Sequence, residues 1–181
     1  MRNRRSPRLQ SHDYASPGWY FLTLCSKERR CIFGTVQDES VVHSEAGKAV
    51  ARAWVQIPAL HPSYLIDAFV VMPNHLHGIL VHHGGATPVP TVVGLFKSRA
   101  SRLAGASLWQ RSFHDRVIRD EAELTAFREY VQTNPLRWTL DRENPDRPPP
   151  TRVAMPARPV LPRSGVSALL PPADAGGGSN P

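Results

Sequence analysis

Four side chains stand out for the chemistry that their types and spacing allow: His75, His77, Tyr130 and Asn134. The two histidines are separated by one residue inside an apolar run. On a strand, side chains alternate between faces, so both imidazoles would point the same way and two nitrogens could share one metal ion. Tyr130 and Asn134 lie four residues apart in a segment with helical spacing, which sets them one turn apart on one helix face. Pro135 follows at once; it restricts Asn134 and cannot donate the next backbone hydrogen bond, so the helix is expected to end there. An amide oxygen at that end could complete a metal shell of neutral donors and leave coordination positions open. Each residue also has a plainer reading. Tyr130 borders an apolar stripe of Leu124, Phe127 and Val131, the setting of a core tyrosine, and Asn134 is an ordinary helix terminator.

For these residues to meet, the rest of the chain must supply a sheet and a helix docked on it. Residues 18–26 (GWYFLTLCS), rich in aromatic and β-type residues after the turn signal Ser16-Pro17-Gly18, predict a first strand. Residues 44–57 predict a helix, with Ser44 as cap, Ala46, Val50, Trp54 and Ile57 at helical spacing, and Pro58 close behind. Residues 64–71 and 76–82 are apolar runs joined through Met72-Pro73-Asn74 and read as adjacent strands. His82 and His83 carry the second run into a Gly- and Pro-rich crossing and read as solvent-exposed. A second helix is expected over 91–104 and a short last strand over 116–119. A final helix is expected over 121–134, with Asp120 as cap and Glu123 as capping-box acid. The order strand, helix, strand, strand, helix, strand, helix predicts an α+β fold, a ferredoxin-like or RRM-like antiparallel sheet with helices packed on it.

Residues 146–181 differ from what precedes them: they hold half of the chain's 18 prolines and a GGGS run. Such a segment buries too little apolar surface to offset its chain entropy, so the expected organisation is one domain over 1–145 and a disordered tail. The balance of charge is basic, 22 Lys+Arg against 15 Asp+Glu, with net charge +7 and a pI near 10.1, which suits a polyanionic partner. Residues 1–34 carry Arg2, Arg4, Arg5, Arg8, Lys27, Arg29 and Arg30 against only Asp13 and Glu28, making the amino end a candidate phosphate-contacting arm. Cys25 and Cys31 lack metal or redox spacing and are expected to be reduced thiols in a cytoplasmic protein. No apolar stretch approaches membrane-spanning length, and the charged start has no apolar core behind it.

At this point a resemblance becomes specific. VVMPNHLHGILV (residues 70–81) resembles the metal-binding strand of the His-hydrophobic-His (HUH) endonucleases, and REYVQTNPLRW (residues 128–138) resembles the tyrosine helix of single-tyrosine transposases. RLQSHDYASPGWYFLTLCSKERRCIFG (residues 8–34) and WQRSFHDRVIRDEAEL (residues 109–124) are similar to the branch known as REP-associated tyrosine transposases. The likeness runs in order over residues 6–145.

The resemblance implies an HUH palm fold in which His75 and His77 are metal ligands, Asn134 is the third side-chain ligand and Tyr130 is the nucleophile. It further implies Mg²⁺ or Mn²⁺ as cofactor, single-stranded DNA hairpins of REP-like palindromes as partners, and a monomer rather than a dimer. A phosphodiester is an anionic, poor electrophile, so its cleavage needs charge neutralisation and in-line positioning, which a divalent cation held by neutral ligands would supply. A phosphotyrosine link would conserve the energy of the broken bond, so that rejoining needs no ATP. Substrate contacts are expected from Arg4, Arg5 and Arg8 of the arm and from Lys97, Arg99 and Arg102 of the second helix, with His114 and Asp115 as a possible border of the site. The alternative is a non-catalytic single-stranded DNA- or RNA-binding domain of RRM-like topology, stacking bases on Trp19, Tyr20 or Phe21. That reading leaves the His75, His77, Tyr130 and Asn134 set without a purpose. A phosphoesterase with paired histidine strands is a further rival, but only one such strand is found.

Overall fold

The computed structural model describes residues 12–140 together with Asn144 and Pro145, so Arg4, Arg5 and Arg8 and the Pro- and Gly-rich segment 146–181 lie outside the described residues. Strand β1 (Gly18–Cys25) is followed by a hairpin of β2 (Gly34–Gln37) and β3 (Ser40–His43), helix α1 (Glu45–Val55) and a short helix α2 (Ile57–Leu60). Then come strands β4 (Tyr64–Met72) and β5 (His75–His82), helix α3 (Val89–Ala104), strand β6 (His114–Ile118) and helix α4 (Glu121–Thr133). The main sheet has the order β4-β5-β1-β6 with every neighbouring pair antiparallel. This is the α+β architecture that the sequence pattern predicts. Among the described residues no helix is long and apolar enough to cross a membrane.

Strand alternation divides the molecule into three layers. Tyr20, Leu22 and Leu24 of β1 and Leu76 and Leu80 of β5 face α1 and α3, where they meet Val50, Trp54, Val92, Val93 and Phe96 in the main core. Gly78 belongs to this face, and a Cβ there would run into the Trp54 indole, which explains a glycine in the middle of an inner strand. The opposite face, with Phe21, Ala68, Ile79 and Ile118, is covered by Leu124 and Phe127 of α4 in a second, smaller core. The face that carries His75 and His77 is therefore the one on which α4 lies.

The helix ends follow local chemistry. Ser44 Oγ accepts from the Gly47 N–H at 3.1 Å, and Asp120 Oδ1 accepts from the Glu123 N–H at 2.8 Å, each cap contributing about 1 kcal/mol. Glu123 departs from a capping box by one residue: its carboxylate accepts from the Arg119 N–H and from Arg116, tying the first turn of α4 to the end of β6. Pro58 sits in the first turn of α2, where its missing N–H costs nothing, and does not simply end α1.

Other elements escape a reading by pattern. The β2–β3 turn places Asp38 and Glu39 at φ 46° and 62°, the left-handed pair that a two-residue hairpin needs, without the Asn-Gly signal that usually announces it. After α4 the chain stays helical, because Asn134 keeps φ −59° and ψ −42° in spite of Pro135 and leads into a 3-10 helix, Pro135–Leu140. His82 is buried, not solvent-exposed: being of opposite parity to His75 it faces the main core, stacks on Tyr64 at 4.3 Å and places Nδ1 3.2 Å from the Ser16 carbonyl.

Candidate active site

The site is built from the centre of the sheet outward. His75 and His77 sit on inner strand β5, cross-strand from Cys25 and Thr23 of β1 and from Met72 and Val70 of β4. Both are buried, and their rings are 4.4 Å apart. Burial, reinforced by the neighbouring His75 ring, holds His77 well below the usual imidazole range, so it is neutral around pH 7. His77 Nδ1 lies 2.9 Å from the Thr23 hydroxyl, which turns Nε2 toward α4.

Two anchors set the height and rotation of α4 above these rings. The first is an aromatic column: Phe127 stacks on Phe21 at 4.3 Å, and Phe21 stacks on His77 at 5.2 Å. Tyr130, three residues beyond Phe127, then has its ring 5.1 Å from His77 and its phenol oxygen 3.4 Å from His77 Nε2, a long hydrogen bond. The second anchor comes from an irregularity in β4, where the register slips between Ile66 and Phe69. The extra residue turns both Asp67 and Ala68 toward α4. Arg128 grips Asp67 through Nε at 2.8 Å and Nη2 at 2.5 Å, a two-pronged geometry that resists sliding and rotation. Were Tyr130 to react with a substrate, Arg128→Ala should leave the protein folded but slow that reaction by roughly 10²-fold, the penalty for a displacement of about 1 Å. Single-turnover kinetics would measure it, and an unchanged rate would show that the aromatic column alone positions the tyrosine.

Asn134, one turn beyond Tyr130, is 1% exposed, and its Oδ1 is buried without a hydrogen-bond partner among the described residues. A bare amide oxygen in the interior costs about 1–3 kcal/mol, so a cation taking that oxygen would relieve a standing penalty. Among the described residues no three His, Cys, Asp or Glu side chains could hold a metal together. His75, His77 and Asn134 would offer a cation two imidazoles and an amide oxygen, neutral donors that would leave its charge intact. Trp138, on the 3-10 helix, reaches to 6.1 Å from His75 and closes the side of the site.

The other candidates are distributed differently. His114 pairs with Thr23 across the sheet and is exposed on the site's face, whereas Asp115 pairs with Leu22 and turns to the other face, where it accepts from the Tyr14 hydroxyl. Lys97, Arg99 and Arg102 belong to α3, on the layer opposite Tyr130. Lys97 donates to the carbonyls of Gln110, Arg111 and Ser112, and Arg99 to Gln56, while Arg99 and Arg102 border a groove with Leu60 and Leu95. At the β4 edge of the sheet a 480 Å³ groove runs between the β2–β3 hairpin, α1, β4 and the end of α4, lined among others by Ser40, His43, Ala51, Val70, Gln132 and Pro135. Thr23 and Asp67 were invisible as site neighbours from sequence because strand register and the bulge decide where they point, and Trp138 because the chain stays helical past Pro135.

Comparison with known proteins agrees with this picture at the level of fold. No family model matches the chain. An uncharacterized protein of Haemophilus influenzae is 32% identical, over 78% of this chain and 93% of the relative. The solved structure of a REP-associated tyrosine transposase bound to a REP hairpin superposes with a TM-score of 0.57 at 20% identity, over 72% of this chain and 74% of that one.

Proposed function

This chain belongs to one family with the Haemophilus influenzae protein, and we propose that it cleaves and rejoins single-stranded DNA beside palindromic hairpins, as a metal-dependent transposase acting through Tyr130. The observation that carries this reading is the phenol oxygen 3.4 Å from Nε2 of a buried, neutral histidine at the middle of the sheet. The shared fold with a transposase bound to a REP hairpin supports the same class of substrate.

In this reading His75, His77 and Asn134 hold Mg²⁺ or Mn²⁺, which when bound withdraws charge from the phosphate oxygens and makes the phosphorus a better electrophile. The chain's own residues do the positioning. The Arg128–Asp67 clamp and the aromatic column fix the phenol. Tyr130 Oη bonds to phosphorus as the bond from phosphorus to the 3′ oxygen breaks. The phenol proton leaves to solvent, and the departing 3′ oxygen gains one. The products are a 5′-phosphotyrosine and a free 3′-hydroxyl, and the reverse attack by a 3′-hydroxyl rejoins a strand.

The alternative, an RRM-like binding module, uses aromatic side chains on an open sheet face to stack bases. Here Tyr20 is in the core and Phe21 lies beneath α4, so of the three aromatics only Trp19, 41% exposed, could serve. The test is incubation with single-stranded hairpins from the flanks of the protein's own gene in Mn²⁺ or Mg²⁺, followed by denaturing electrophoresis. We expect a protein band shifted by covalent DNA, dependent on the cation. Binding without any covalent band would favour the module.

A further inference from the structure

Asn74, in the turn between β4 and β5, is 1% exposed and uses its side chain in two directions. Nδ2 donates to the Arg29 carbonyl at 3.1 Å, and Oδ1 lies 2.8 Å from His75 Nδ1. A carbonyl oxygen accepts only, so the end of the amide that faces Arg29 must be the NH₂ group; reversing it would set oxygen against oxygen. The end that faces His75 is therefore an oxygen, which has no proton to give. The nitrogen opposite it must be the N–H, and a neutral imidazole has only one. The turn itself is pinned, since the Asn74 carbonyl accepts from the Ser26 N–H at 2.8 Å and the Pro73 carbonyl from the Phe33 N–H at 2.9 Å.

We propose that Asn74 is a positioning residue that fixes His75 as the Nδ1–H tautomer, so that Nε2 presents its lone pair to the site before any ligand arrives. Metal-bound histidines commonly donate their second N–H to a carbonyl or carboxylate that orients the ring and raises its basicity. A side-chain amide from the adjacent residue performs that task here. Its value for metal binding rests on the function proposed above, but the tautomer is a property of the metal-free protein and is measured there.

Two variants separate this role from mere support of the turn. Asn74→Leu removes both the acceptor toward His75 and the donor toward Arg29. Asn74→Asp keeps the acceptor, loses the donor and adds a negative charge. Both should lower stability toward urea, Asn74→Asp the more because its second oxygen faces the Arg29 carbonyl. Two-bond ¹⁵N–¹H couplings should show His75 as Nδ1–H in the wild type and in Asn74→Asp, and as Nε2–H or a mixture in Asn74→Leu. Mn²⁺ affinity, read by paramagnetic resonance of the free ion, should fall roughly 10–100-fold in Asn74→Leu and stay near the wild-type value in Asn74→Asp. Nε2–H in the wild type, or Nδ1–H retained in Asn74→Leu, would overturn the proposal. The expected tautomer pattern with no Mn²⁺ binding in the wild type would instead sustain this assignment and overturn the metal reading of the site.

Discussion

Tyr130→Phe should bind hairpin DNA with wild-type affinity while forming no covalent adduct, with cleavage at least roughly 10⁴-fold slower. The substitution removes one oxygen and leaves the ring. The ring's neighbours, Phe21 at 6.0 Å and His77 at 5.1 Å, are retained, so α4 has no reason to shift. The lost oxygen's hydrogen bond to His77 Nε2 is 3.4 Å, long enough that breaking it should cost well under about 1 kcal/mol of stability. Loss of activity in this variant would therefore report chemistry and not folding. Denaturing electrophoresis with end-labelled DNA gives both numbers at once, the cleaved fraction and the covalently shifted fraction. An adduct that persists in Tyr130→Phe would move the nucleophile elsewhere. Cleavage that persists without an adduct would turn the enzyme into a hydrolase whose nucleophile is water.

How much of this was legible before the structure can be judged residue by residue. His75 and His77 were legible because the period of a strand is two, a rule that the sheet cannot break once β5 is buried on both faces. The same rule, carried forward to His82, would have placed it in the core, although its approach to a Gly-rich loop suggested exposure. Tyr130 and Asn134 were legible as a pair because the helical period is insensitive to what surrounds it, even though the chain remains helical through Pro135. Distance in sequence hid the rest. Asp67 precedes Arg128 by 61 residues, and the two meet only because β4 skips a register between Ile66 and Phe69, an event with no local signature. Thr23 reaches His77 from a different strand, 54 residues away. For the basic residues of α3, taken as DNA contacts, the structure gives position alone: Lys97 holds the segment before β6, and Lys97, Arg99 and Arg102 belong to the layer away from Tyr130.

The sharpest test of the metal reading is Asn134 and not the histidines. His75→Ala would leave a cavity beneath Trp138 in the interior, so its inactivity could be attributed to lost packing. Asn134→Leu nearly conserves shape and removes a buried oxygen that has no partner among the described residues, so the metal-free variant should be as stable as the wild type or more so. A core asparagine that served only as a helix terminator would then be improved without penalty. A ligand would not: the wild type should gain about 2.7 kcal/mol from Mn²⁺ supplied at roughly 100 times its Kd, visible as a rise in Tm, and Asn134→Leu should lose most of that gain. Cleavage should fall in parallel, by roughly 10–100-fold or more at limiting cation. The two readings thus predict opposite relations between stability and activity. If Asn134→Leu were to keep both the Mn²⁺-dependent rise in Tm and full cleavage, the third ligand would have to be sought outside α4.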